Sequence, residues 1–244
     1  MARQSAAAIP VLVTRPRAEG KAFAAALTNR FGARVRPVVA PLIAPRYLSP
    51  PIPAQDYAAV VFTSAQAVEG ARRLGVPLPR LAWCVGPKTA TVAAEAGFQT
   101  RSADGDANSL AQAILSDPPN GRILYLRGVD TRGNLLEMLH SFGINADVAI
   151  VYSQDPQPLT DDARALLSLP VDVIVPLFSP RTATLFRQAL PPEVAARLHV
   201  AAMSASVAAA MDGLALAALV VASQPDAPAM LTAVESLLAR LPAP

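Results

Sequence analysis

A strand, a polar tip and a helix follow one another twice between Ala58 and Arg101, and that rhythm limits the possible folds more than any other feature. An apolar run, 59–62, ends in Thr63-Ser64, and a helical pattern through Val68, Ala71 and Leu74 follows. A second run, 81–85, ends in Gly86-Pro87-Lys88-Thr89, where another helix begins. Short apolar runs alternating with helices predict a parallel sheet covered by helices on both faces. In open α/β sheets, ligands bind at the carboxyl ends of the strands, where helix N-termini offer free N–H groups. Both polar tips occupy that position.

The rest of the chain carries the same pattern. Residues 11–14 read as a strand followed by Arg15-Pro16-Arg17, and a helix over 19–30 turns Phe23, Ala26 and Leu27 to one face with Phe31, stopped by Gly32. Residues 35–40 read as a strand. Ser109 is expected to cap a helix over 110–115. A strand at 123–126 ends in Arg127-Gly128, and the next helix directs Leu135, Met138, Leu139 and Phe142 inward before Gly143. A strand over 146–152 ends at Tyr152. A fainter copy then appears as VDVIVPLFSPRTATLFRQAL and LHVAAMSASVAAAMDGLALAALVVA. Ser64 has a counterpart in Ser179, Arg15 in Arg127, Phe31-Gly32 in Phe142-Gly143, and Asp106-Ala107 in Asp226-Ala227. Matches in one order at similar separations predict an internal duplication.

Two proline-bearing crossings interrupt the rhythm. Pro41, Pro45, Pro50, Pro51 and Pro53 exclude a central strand or a helix interior, because each removes a donor and fixes φ. SQDPQPLTDD after Tyr152 is the second crossing. The expected organisation is one discontinuous α/β domain, 1–39 with 160–244, and a second at 54–148, joined by linker strands at 40–53 and 149–159. Residues 1–10 are expected to be a frayed leader. A cleft between two such domains is a usual ligand site.

Composition narrows the function. With 52% apolar and 16% charged residues, the chain is not disordered. The net charge of +3 comes from scattered arginines without the basic stripe that nucleic acid requires, and it suits an anionic small molecule. The single cysteine, Cys84, excludes an internal disulfide and reads as a small core residue. His140 and His199 stand apart, so no metal-ligand spacing is present. The apolar stretch at 214–222 is far shorter than the roughly 20 residues of a membrane span, and residues 1–8 hold no signal-peptide core. The expectation is a cytoplasmic protein, monomeric by default, with neither membrane nor nucleic acid as partner.

Candidate site residues gather at the strand ends. Thr63-Ser64 and Ser179-Pro180 read as helix caps, and the N–H groups they leave over could cradle a carboxylate or phosphate. Gly86 would allow close approach of a ligand, with Lys88 or Thr89 beside it. The upstream glycine of a phosphate-binding loop is missing, as are a dinucleotide fingerprint and a nucleophile elbow. Arg15, Arg17, Lys88, Arg127, Arg132 and Arg181 are each readable as a solvated charge; as a group they suit a polyanion. Tyr152 reads as an amphipathic packing residue or a hydrogen-bond donor. No pair of carboxylates stands out as general acid and base.

Taken together, VLVTRP (11–16), VVFTSAQAV (60–68), VGPKTA (85–90), GDANSL (105–110), LYLRG (124–128), VY (151–152), FSP (178–180) and SQPDAPAML (223–231) resemble the uroporphyrinogen-III synthase family along nearly the whole chain. The resemblance implies two flavodoxin-like parallel-sheet domains joined by a two-stranded linker, with the active site in the cleft. It implies closure of the linear tetrapyrrole polycarboxylate hydroxymethylbilane to uroporphyrinogen III, with inversion of the last ring, loss of water and no cofactor or metal. The enzyme that makes hydroxymethylbilane becomes a candidate partner. Tyr152 corresponds to the family's tyrosine, a hydrogen-bond donor to the departing hydroxyl, and Thr89 to its domain-two threonine. The other candidate substrate contacts come from the strand-end reading: Arg15, Thr63, Ser64, Gly86, Lys88, Arg127, Gly128, Ser179 and Arg181, with Ser204 or Ser206 substituting in the 203–207 loop. Two departures stand out: Val207 occupies the usual threonine position of the 203–207 loop, and Gln66 replaces a common asparagine. The alternative from another class is a non-catalytic two-domain sensor of a carboxylated small molecule; a phosphate-ligand enzyme is a third.

Overall fold

Eleven strands and nine α-helices alternate through residues 8–130 and 133–242, which the computed structural model describes. In chain order they are β1 (Ile9–Val13), α1 (Arg17–Phe31), β2 (Val35–Val39), β3 (Ile43–Tyr47), β4 (Tyr57–Phe62), α2 (Ala65–Arg73) and β5 (Leu81–Cys84). Then come α3 (Pro87–Glu95), β6 (Gln99–Ser102), α4 (Ala107–Ser116), β7 (Arg122–Gly128), α5 (Leu135–Ser141) and β8 (Ala146–Pro156). The chain closes with α6 (Asp161–Leu167), β9 (Asp172–Leu177), α7 (Pro180–Ala189), β10 (Arg197–Ala202), α8 (Ala205–Ala209), β11 (Ala218–Val221) and α9 (Ala227–Leu238). Most of the expected leader, and Arg132, lie outside the described residues. Ile9 and Pro10, placed in that leader by the sequence, instead open β1, where they pair with Val35 and Arg36.

The chain folds into two compact units, Met1–Ala44 with Pro156–Pro244, and Pro45–Asp155. It passes between them within β3 and near the end of β8. The first unit holds a five-stranded sheet in the order β11-β10-β9-β1-β2, and the other sheet runs β3-β8-β7-β4-β5-β6. Pro45 in β3 and Pro37 in β2 sit on edge strands, where a missing donor costs no ladder bond to a second neighbour.

Alternation along the strands builds a core on each face. In the first unit Leu12, Val173, Val175 and Val200 face α6, α7 and α8, while Val11, Val13, Ile174 and Ala201 face α1 and α9. In the second, Val60, Phe62, Leu124 and Val151 face α2 and α3, while Ala59, Val61, Ile123 and Tyr125 face α4 and α5. Cys84 is fully buried in this core, and burial pushes its thiol up to about 11, in line with a packing role. Gly32 and Gly143 stop α1 and α5 at φ of 55° and 77°, a backbone region that favours glycine.

Two local expectations fail. Asp106, not Ser109, caps α4: its Oδ1 accepts the Asn108 and Ser109 N–H groups at 2.9 and 3.0 Å, starting the helix three residues early. Asp226 caps α9 in the same way, accepting from Ala229. Phe142 is not on the buried face of α5, because the helix ends at Ser141 and leaves the ring 49% exposed.

The amino edge of each sheet carries a guanidinium–carboxylate fork. Arg122 at the start of β7 donates to both oxygens of Asp147 on β8, at 3.0 and 2.7 Å. Arg197 at the start of β10 donates to both oxygens of Asp172 on β9, at 2.9 and 2.6 Å, and His199 adds a third contact at 2.8 Å. Hydrogen bonds from the arginines hold both carboxyls below their ordinary range. A carboxyl whose pKa is depressed by folding contributes stability above the unfolded value of about 3.9 and loses it as pH falls through the folded value. The melting temperature is therefore expected to fall more steeply below pH 4 in the wild type than in an Asp147→Asn/Asp172→Asn double variant; parallel pH–melting curves would disprove the forks' role.

Candidate active site

The carboxyl edge of the second unit's sheet holds a pocket of about 670 Å³, lined by residues from four loops and the body of β8. Parallel pairing brings the ends of β4, β7 and the middle of β8 to one level, with Gly128 opposite Tyr152. The turn between β4 and α2 forms one wall. Ser64 has extended backbone angles and caps α2, its Oγ accepting the Ala67 N–H at 3.1 Å. The cap reading of Ser64 thus holds.

Three phenols converge on that turn. Tyr152 OH lies 3.0 Å from Ser64 Oγ, Tyr125 OH lies 3.2 Å from Thr63 Oγ1, and Tyr47 OH donates to Gln66 Oε1 at 2.6 Å. Arg73 stacks on the Tyr47 ring at 4.1 Å. Burial raises the pKa of Tyr47 and Tyr125, and the Glu69 carboxylate adds to the effect at Tyr47. Both therefore keep their protons. Gln66 is thereby engaged as the acceptor of the Tyr47 hydroxyl.

Gly128 makes room for Tyr152. A Cβ at position 128 would stand 2.6 Å from the ring's Cζ and 2.9 Å from its hydroxyl, so the phenol lies directly on bare backbone. Gly70 plays a related part behind the site: its missing side chain lets α2 lie against Val151, whose Cβ and carbonyl oxygen would be 2.8 Å from any added carbon.

Of the other lining residues, sequence places only Asp130 on the ligand side, as one of its few acids. Asp106, Asn108, Asp130, Asn134 and Gln154 add carboxylate and amide groups. The Ser109 and Asn108 N–H bonds keep the Asp106 carboxyl below its usual range. The GDANSL stretch contained two of these residues, but a capping aspartate and a pocket carboxylate have the same sequence signature. Among the described residues no group of three His, Cys, Asp or Glu is arranged to hold a metal.

Not every expected contact joins this pocket. Gly86 caps α3 through its backbone, Thr89 is buried in the first turn of that helix and Lys88 is exposed; Val85 alone of that stretch lines the pocket. Arg127 turns back on the chain and donates to the Gly128 and Val129 carbonyls at 3.1 and 3.2 Å. The first unit has its own polar carboxyl edge. Arg15 stacks on Phe178 at 4.0 Å, and burial lowers its pKa against the opposing pull of Glu19. Ser179 caps α7 and Ser204 caps α8, with Ser206 Oγ 2.9 Å from Ser204 Oγ. Arg181 is exposed at the start of α7, and Arg17 is exposed at the start of α1. Val207 is a core residue of α8, so the loop there offers no side-chain hydroxyl at that position.

Parallel sheets covered on both faces, with a hydrogen-bonding pocket at the carboxyl edge, define an α/β protein with a candidate site for a small polar ligand. A family model described as uroporphyrinogen-III synthase HemD (HEM4) matches residues 21–232, and the chain belongs to that family of lyases. No curated protein sequence matches it. Among solved structures, uroporphyrinogen-III synthetase from Helicobacter pylori 26695 is similar with a TM-score of 0.57 and 16% identity, covering 94% of this chain and 99% of that one. A mutant uroporphyrinogen III synthase from the extremely thermophilic bacterium Thermus thermophilus gives a TM-score of 0.47 and 17% identity, over 96% and 100% of the two chains. The first likeness shows a shared α/β fold with parallel sheets.

Gly128→Ala should leave the fold intact, because the ring it strikes can swing aside, while it separates Tyr152 from Ser64. A crystal structure of the variant is expected to show that hydrogen bond broken with the sheet unchanged. An unmoved ring would contradict the role given to Gly128.

Proposed function

We propose that the chain closes hydroxymethylbilane to uroporphyrinogen III, inverting the last pyrrole ring and releasing water, in a cleft between two flavodoxin-like domains. The observation that carries this reading is Tyr152, seated on Gly128 and tied to Ser64 within a polar pocket, in a chain whose family match spans residues 21–232.

The chemistry asks little of an acid–base pair. A pyrrole nitrogen lone pair expels the hydroxyl of the substrate's hydroxymethyl group, and negative charge gathers on the departing oxygen. A hydrogen bond from the Tyr152 phenol stabilises that charge, and the proton that makes the departing hydroxide water comes from the N–H of the pyrrole cation left behind. The carbon left behind is electrophilic and can close unaided onto the wrong position of the last ring. Selectivity then comes from holding a flexible polyanion in one geometry. The first unit contributes Arg15, Ser179, Arg181, Ser204 and Ser206 to its carboxylates. The second contributes Thr63, Gly86, Lys88 and Gly128, while Thr89 packs beneath the start of α3 and Arg127 holds its own loop. No cofactor or metal takes part. The unstable substrate favours direct supply by the enzyme that makes it, and the cytoplasm is the proposed setting.

In a coupled assay with a hydroxymethylbilane-generating enzyme, the purified protein is expected to give the type III isomer. Only type I product above a protein-free blank would overturn the assignment, and ligand-dependent compaction without turnover would favour a sensor. Tyr152→Phe should lower kcat by about a hundredfold, the size expected for a lost transition-state donor, with the melting temperature nearly unchanged. Arg15→Ala should raise KM less than about tenfold, because several groups share the substrate's carboxylates; complete loss of binding in this variant alone would refute the distributed contact.

A further inference from the structure

Three of the chain's four tyrosines hold the turn after β4, and at Ser64 this has a chemical consequence. A serine hydroxyl has one proton to give and two lone pairs with which to receive. Ser64 Oγ already receives the Ala67 N–H, leaving its proton and one lone pair for the phenol 3.0 Å away. One hydrogen bond between two hydroxyls uses one proton. If Tyr152 donated, its proton would be spent on Ser64. If Ser64 donates, the phenol oxygen is satisfied and the phenol's own proton is available to a ligand. Polarity favours the second arrangement: Ser64 accepts at the positive end of α2, and a hydroxyl that accepts one hydrogen bond donates a stronger one.

The other half of the chain provides a comparison. Ser179 caps α7 as Ser64 caps α2, accepting the N–H three positions on at the same 3.1 Å. That third position is Thr182 in α7 and Ala67 in α2. Thr182 Oγ1 lies 2.8 Å from Ser179 Oγ, so the second bond of that cap closes within its own first turn. Alanine at 67 removes the local partner, and Tyr152 from β8 takes its place. Gly128 completes the arrangement by admitting the ring.

We infer that Ser64 is a positioning residue that acts through Tyr152: it donates its proton to the phenol oxygen and so orients the phenol's proton toward the departing hydroxyl. This rests on the synthase reading of the same pocket, which the wild-type isomer assay tests separately.

The experiment compares Ser64→Gly and Ser64→Thr, each alone and with Tyr152→Phe, in steady-state isomer assays corrected for spontaneous closure. Glycine caps helices nearly as well as serine, so Ser64→Gly removes the proton and spares the helix. Threonine keeps the hydroxyl and suits the extended backbone at this position. Ser64→Gly is expected to lower kcat about tenfold with KM changed less than about threefold and thermal stability preserved. Ser64→Thr should recover kcat to within about threefold of wild type, and Ser64→Gly on a Tyr152→Phe background should change kcat less than about twofold. An unaltered kcat in Ser64→Gly, or the same tenfold loss on the phenylalanine background, overturns the inference while leaving the synthase reading in place. A wild type that forms only type I product removes both.

Discussion

Burying a parallel strand on both faces forces each return through a helix, and that constraint arranges everything else in this protein. Every strand of a run then ends along the same edge, and the following helix starts there with unsatisfied N–H groups. Helix caps and ligand donors are consequently drawn from the same few residues. Ser64, Ser179, Ser204 and Asp106 each satisfy a helix start, and each stands at a carboxyl edge. Helix starts and a ligand at these edges would compete for the same atoms.

That competition explains what the sequence could and could not disclose. Strand and helix order was legible because alternating apolar runs and caps have a period; the two-faced cores around Val60 and Val61, or Val173 and Ile174, follow from it directly. Tyr152 and Ser64 could be nominated because each ends or follows a strand. Their contact could not, since it depends on the register that sets Gly128 beside Tyr152. Ser109 was read as the cap of α4, and the turn geometry instead gave that role to Asp106. Gln154 was hidden because β8 continues past the expected strand end. Arg127 was read as a strand-end cation facing a ligand, yet its guanidinium returns to two carbonyls of its own loop.

The two units also show how one local pattern takes on different tasks. The serine caps of α2 and α7 share a backbone conformation and an N–H partner. A single difference in the first turn, alanine or threonine, decides whether the hydroxyl is satisfied at home or reaches a tyrosine on a distant strand. The loop before α8 has moved further still, with Val207 given to the core and the two serine hydroxyls bound to each other.

The guanidinium–carboxylate forks lie at the opposite edge of each sheet from the capping serines Ser64 and Ser179. Arg122 with Asp147, and Arg197 with Asp172, clamp neighbouring strands at their amino ends. Strand clamping and the candidate pocket of the second unit are thereby assigned to different ends of the same strands. A lineage moving to hotter or more acidic surroundings could rework one rim by selection while the other stayed under purely chemical constraint.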